Sequence, residues 1–193
     1  SDDVVLLVFC IFIPFWHKEK DDAMGVEIET SAILPNTYDS VQAFFEDVRL
    51  AILSSNEDVR LSEFQRFAER DDILFAFVHP AGSPMEFSVE NRQVTIYTKT
   101  STVGPGFHFH TVKILRHLED NLGLKWNWKD ADETGYAVMD QQELVHQAMA
   151  DFFLALARKL NNAASQGASN IMANMPMGYP AVATNFFVMT PMG

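Results

Sequence analysis

Residues 73–98 read ILFAFVHPAGSPMEFSVENRQVTIYT, and three short runs inside this stretch decide the fold class. Ile73 to Val78, Met85 to Val89 and Gln93 to Thr98 are rich in β-branched and aromatic residues, which suit a pleated, half-buried strand. HPAGSP and ENR separate them. Loops this short join antiparallel neighbours, because a parallel crossover needs a dozen or more residues. The stretch is therefore expected to form an antiparallel three-stranded unit.

On its N-terminal side, Val26 to Leu34 alternates, with Val26, Ile28 and Thr30 against Glu27, Glu29 and Ser31, and stops before Pro35. This pattern predicts a strand with one buried face. The earlier apolar run from Val4 to Phe15, with Pro14 near its end, is shorter than the roughly 20 residues that span a bilayer. It predicts a central strand paired with Val26 to Leu34 across the charged loop HKEKDDAMG. Only as the end of a segment cut from a longer chain would it be a membrane helix. The start of the chain shows neither the basic region nor the small-residue cleavage site of a secretory leader.

Helices are expected between and after these strands. Val41, Phe44, Phe45, Val48 and Ile52 recur at helical spacing to about Ser54, with Asp39 and Gln42 as a capping box. A second, short helix is expected from Ser62, with Gln65 at its third position and Phe64, Phe67 and Ala68 packed inward. Gly104-Pro105-Gly106 opens a helix to about Leu122, Pro105 suiting its first position and Gly123 its left-handed stop. Leu124 to Trp128 alternates as a brief strand, which places Leu124, Trp126 and Trp128 together under the last helix. That helix, from an Asp140/Glu143 capping box to about Leu160, buries Leu144, Val145, Ala148, Met149, Phe152, Phe153 and Leu156. The order is ββααβββαβα plus a tail: an α+β fold with a mostly antiparallel sheet of five to six strands covered by three or four helices.

The chain has 193 residues, 48% of them hydrophobic, with 16 Phe and 3 Trp as bulky core material, which suits one folded domain. Lys plus Arg is 14 and Asp plus Glu is 26, for a net charge of −12. Such a balance argues against a nucleic-acid groove or an anionic membrane, both of which need a local excess of Lys and Arg. Every one of those charges lies in residues 1–160, which are expected to form a single acidic domain. Residues 161–193 are a charge-free, Asn/Ala/Met/Pro-rich tail. Its NNAASQGASN reads as a linker, and AVATNFFVMT holds a β-like run around Phe186 to Met189, expected to return as an edge strand near 182–190, to dock on a partner, to begin a next domain or to support a homo-oligomer. The single cysteine, Cys10, cannot form an internal disulfide, which favours a reducing, cytoplasmic setting, and its apolar neighbours make it inert packing.

Chemistry concentrates between Thr100 and His110. A hydroxyl-rich, glycine-containing turn leading into a helix presents backbone N–H groups and the positive end of the helix dipole, an arrangement that takes phosphate or carboxylate. Ser101, Thr102, Gly104, Gly106, His108 and His110 are the candidate ligand-binding residues. Neither a P-loop nor a dinucleotide fingerprint is present, and a shaped strand-to-helix turn explains the same residues more simply. His110 and His117 lie on the border of the helix's apolar stripe beside Lys113, with His108 pointing away from them. Seven residues put the first two about 10 Å apart along the axis, too far to share one zinc ion, so no metal is expected. Asp130-Ala131-Asp132-Glu133-Thr134-Gly135 matches the first half of a calcium loop, but Gln141 stands at the twelfth position and a solvated acidic turn fits better. His17 and His79 are isolated, and no Ser or Cys sits in a recognisable nucleophile context.

Two functions follow. The first is a non-enzymatic protein-interaction or regulatory module, of inhibitor or immunity type, whose natural partner is a basic protein. The second is an enzyme or small-ligand domain that takes an anionic ligand at Gly104-Pro105-Gly106. No cofactor is implied by either.

Overall fold

The computed structural model describes residues 25–55, 65–70, 72–166, 171–176, 182–183 and 187–192. The Val4 to Phe15 run, Cys10, His17 and the expected helix start at Ser62 lie outside them. Five strands, β1 (Glu27–Ile33), β2 (Arg66–Arg70), β3 (Ile73–Phe77), β4 (Met85–Glu90) and β5 (Gln93–Lys99), form one sheet in the order β1-β5-β4-β3-β2. Every pairing is antiparallel, so the α+β expectation holds and the 73–98 stretch is indeed its centre. At the β4–β5 hairpin, Asn91 and Arg92 both take positive φ, 50° and 63°, as the strand twist demands of a two-residue turn.

Helices α1 (Val41–Ser55) and α2 (Pro105–Leu122) pack side by side on one face of the sheet. Phe44, Phe45, Val48 and Ile52 from α1 and Ile114, Leu115 and Leu118 from α2 meet Ile28, Leu74, Phe87 and Ile96 in one core. Each fully buried side chain of this size contributes about 1.5–3 kcal/mol, so this layer dominates the stability of the domain. Ser40, one residue later than the expected Asp39, caps α1 by accepting the Ala43 N–H at 3.1 Å. Pro105 begins α2 and Gly123, at φ 69°, ends it in the left-handed conformation, as the sequence requires.

Two local expectations are corrected. Phe67 and Ala68 belong to β2, where they pair with Ala76 and Phe75, not to a helix. Most of β2 is exposed, so it shows no period-two burial from which a strand could be read. Leu124 to Trp128 is extended but forms no ladder, and Trp128–Asp130 is a 3-10 turn. Its contacts with β1 are isolated: Asn127 N–H to the Ser31 carbonyl (2.9 Å), Glu29 N–H to the Ala131 carbonyl (2.9 Å) and an Ile28–Asp132 bridge. These contacts occupy the side of β1 away from β5.

The C-terminal half continues with a one-turn helix, α3 (Tyr136–Met139), and a long one, α4 (Gln142–Ser165). Asp140, expected to cap the long helix, instead closes α3 in the left-handed conformation, its N–H bonded to the Tyr136 carbonyl at 2.8 Å. Val145, Met149 and Phe153 of α4 form a smaller core with Val26, against which Phe109 and Tyr136 pack. The helix runs past Leu160 into the expected linker as far as Ser165. Beyond it, β6 (Ile171–Pro176), β7 (Val182–Ala183) and β8 (Phe187–Met192) form a separate sheet in the order β6-β8-β7. β8 pairs with β6 in parallel on one side and with β7 in antiparallel on the other.

Among the described residues, no helix is long and apolar enough to cross a membrane.

Candidate functional site

The stretch from Thr98 to His110 leaves β5, turns and enters α2. Thr100 and Ser101 donate their N–H groups to the Val26 carbonyl (2.8 and 3.1 Å), tying the turn to the residue just before β1. Gly104 at φ 116° then reverses the chain. Its carbonyl accepts Phe107 N–H (3.0 Å) and His108 N–H (3.3 Å), and no side chain caps the helix. Pro105 has no N–H to give. Gly106 is therefore the first-turn residue whose N–H has no acceptor among the described residues, and its Cα faces open space.

The six sequence-predicted residues do not share one cavity. His108 is fully buried and turns inward, while Ser101 is buried beside Gly25 and Lys99. His110 is half-buried, and desolvation, then Lys113 and His79, hold its imidazole below the usual histidine range. The Thr98, Ser101 and Thr102 hydroxyls and His110 Nε2 are buried without a hydrogen-bond partner among the described residues. Two shallow clefts of about 240 and 180 Å³ lie elsewhere, around Leu34, and neither includes any residue of this stretch.

The constellation that the structure does assemble includes one residue that the sequence reading missed. His108 Nδ1 lies 2.9 Å from Thr100 Oγ1, and its Nε2 lies 3.3 Å from Asp132 Oδ2. The second contact falls short of a good hydrogen bond but is close for charge attraction. Asp132 Oδ1 accepts Thr134 N–H (2.9 Å) and Thr134 Oγ1–H (2.7 Å), and Oδ2 accepts Ala137 N–H (2.9 Å). Burial alone would raise this carboxyl, but His108 and the turn donors outweigh it and hold Asp132 below the ordinary Asp value. The acidic turn read as a half-matched calcium loop thus spends this carboxylate on itself and on His108. No signal along the chain joins positions 108 and 132; only the Asp-x-Thr-Gly turn chemistry was visible.

The same segment is fastened to α2 by further contacts. Trp126 Nε1–H donates to the Leu115 carbonyl (2.9 Å), and Glu119 accepts Trp126 N–H (2.9 Å) and Trp128 Nε1–H (3.1 Å). Arg116 lies 5.5 Å from the Trp128 ring and donates to the Ala137 carbonyl. The Trp pair therefore packs against α2 rather than under the last helix.

Thr100, His108 and Asp132 follow the order hydroxyl, imidazole, carboxylate used for nucleophile activation. Yet Thr100 and His108 are 0% exposed, and the Asp132 side chain is 1% exposed. A nucleophile must reach its substrate, and this closed chain of groups joins β5, α2 and the 132–137 turn without presenting a reactive atom to solvent. His117 meets the Ser54 hydroxyl at 3.2 Å, and His79 Nδ1 accepts the Ala81 N–H at 3.1 Å. Among the described residues no group of three or more His, Cys, Asp or Glu is placed to hold a metal ion. No protein-family model, curated protein or solved structure matches the chain.

Proposed function

We propose that the chain is a non-enzymatic protein-interaction or regulatory module, of inhibitor or immunity type, that meets a basic protein partner. The observation that carries this reading is the sealing of the His108–Asp132–Thr100 network, which removes the best-assembled reactive constellation from any substrate. What the body offers to a partner is its surface charge, dominated by carboxylates at a net −12. A cytoplasmic setting suits a chain with one cysteine. The test is affinity purification with the intact chain at low and high salt, each recovered protein then being purified and titrated back. A stoichiometric basic partner whose affinity falls with salt is expected, and recovery of none refutes the reading.

The unpartnered Ser101, Thr102 and His110 atoms favour a second reading, a small anionic ligand at the Gly104-Pro105-Gly106 turn. It requires that inorganic phosphate raise the melting temperature and that Gly106→Trp abolish the rise. A flat response removes this reading.

A further inference from the structure

The loop between β3 and β4, residues 78–84, folds onto the first turns of α2. Gly82 N–H closes it on the His79 carbonyl at 3.2 Å. A β-carbon at position 82 would come within 2.9 Å of Phe107 Cζ, so the loop backbone lies directly against that ring. The His79 ring rests on the same phenyl group, with centroids 5.8 Å apart, and Phe107 is left 4% exposed. His110 follows Phe107 by three residues in α2, which makes the two neighbours on the helix surface and brings His110 beside the loop.

The closed loop suits two neutral imidazoles. His79 Nδ1 accepts the Ala81 N–H at 3.1 Å, and it accepts only while it carries no proton. A protonated ring has two donors and turns one of them on the Ala81 donor. Attraction of an imidazolium to the Phe107 ring returns part of that loss but gives Ala81 N–H no acceptor. His110 Nε2 is buried with no hydrogen-bond partner among the described residues, so a proton there would bring a charge with nothing to solvate it. Two charges act on His110, Lys113 of its own helix and His79 of the loop, and both have the sign of the proton that it would gain. On the same side of α2, His117 meets the Ser54 hydroxyl of α1. No carboxylate among the described residues acts on either His79 or His110. Burial holds the His79 imidazole below the usual histidine range, as it does that of His110.

We propose that the β3–β4 loop is an acid-released flap: protonation of His79 and His110 lifts residues 78–84 from α2 and bares the Phe107 ring beside the Gly104-Pro105-Gly106 turn. The closed loop is favoured above the ordinary histidine value of about 6.5 and is lost as pH falls below it, because only the open loop takes up the two protons freely. At about pH 5.5, each of these protons favours opening by about tenfold. The strands on either side stay in their ladders, since β3 and β4 are joined by backbone bonds that do not titrate. An apolar surface that is covered at neutral pH thus appears in mild acid. The device goes beyond the interaction-module reading and holds whatever the chain binds.

The test follows amide hydrogen exchange of the intact chain by mass spectrometry at about pH 7.5 and about pH 5.5, with rates corrected for the intrinsic effect of pH. Protection of peptides covering 78–84 is expected to fall by about tenfold to a hundredfold, while peptides from β5 and α1 change by less than about twofold. In the double variant His79→Asn with His110→Leu, the fall at 78–84 should shrink to less than about twofold. Asparagine keeps a side-chain acceptor for the N–H two residues on, and leucine occupies the His110 position with no proton to gain. If the double variant does not fold, His79→Asn alone should be about tenfold better protected than the parent at about pH 5.5. In the parent itself, the Ala81 amide and the His79 ring should titrate together in NMR spectra. Unchanged protection at 78–84, the same loss in the variants, or a loss spread equally over β5 and α1 overturns the flap.

Discussion

Truncating Asp132 to alanine tests the buried network most directly. The substitution strands Thr134 N–H and Ala137 N–H and removes the carboxylate that faces His108 Nε2 at 3.3 Å. Leaving a buried donor unsatisfied costs about 1–3 kcal/mol. With two backbone donors stranded, Asp132→Ala is expected to destabilise the fold by about 4 kcal/mol. Set against a typical total of about 5–15 kcal/mol, this is a large fraction. At about 2–4 °C per kcal/mol for a chain of this size, the melting temperature should fall by about 8–16 °C. Urea unfolding followed by tryptophan emission measures it, with an unchanged m-value showing that the unfolding unit is the same. A cycle with His108→Leu then isolates the His108–Asp132 term, expected to couple by about 1 kcal/mol or more. An Asp132→Ala variant within about 1 kcal/mol of the parent, or strict additivity with His108→Leu, would refute the role assigned to this contact.

Acid stability supplies a second prediction. Asp132 is depressed in the folded protein, so its stabilisation is complete above the unfolded Asp value of about 3.9 and is lost as pH falls through the lower folded value. The stability difference between the parent and Asp132→Asn should therefore shrink between about pH 5 and about pH 2, and a difference that stays constant over that range contradicts the assignment. Two glycines at the ends of α2 should respond oppositely: Gly106→Ala, in open space within the first turn, raises stability by about 0.5–1 kcal/mol, whereas Gly123→Ala, at φ 69° just past the last turn, lowers it by about 1 kcal/mol. Chemical denaturation of both variants checks the pair. Tyr38, 3.0 Å from Asp47, is pushed up to about 12 by burial, then by the hydrogen bond and charge of Asp47; its phenolate should appear late in an alkaline absorbance titration, and Asp47→Asn should bring it earlier. With Trp16 and Trp128 replaced by Phe, Trp126 at 5% exposure should resist iodide quenching, and quenching like that of free tryptophan would show that the 124–137 segment does not pack on α2.

The sequence was most informative where burial has a period. In 73–98 the alternation of β3, β4 and β5 and their short turns state the topology directly, and in α1 the spacing of Phe44, Phe45, Val48 and Ile52 matches the buried stripe. β2 failed because an exposed strand leaves no such record, and Phe67 with Ala68 then fits a helix as well as a strand. The turn into α2 was legible from Gly104, Pro105 and Gly123, since each has a backbone conformation to itself. The helical wheel separated His108 from His110 and His117, but its partner lies 24 positions further on, and only the fold brings Asp132 to it. His79 likewise looks isolated along the chain, because the Phe107 ring that it rests on is brought to it only by the fold.

Residues 127–132 have one more consequence, for association between copies of the chain. A strand edge with unpaired N–H and C=O groups is a template for another strand, and β1 would present such an edge if this segment let go. The bonds from Asn127 and Glu29, together with the Asp132 anchor, close it like a selvedge. At the opposite margin, β2 carries Arg66, Glu69 and Arg70, side chains that discourage addition of a further strand. Variants that loosen Asp132 should therefore aggregate in a concentration-dependent manner at temperatures where the rest of the sheet is still folded, because the first thing that they release is a place for the next molecule to add.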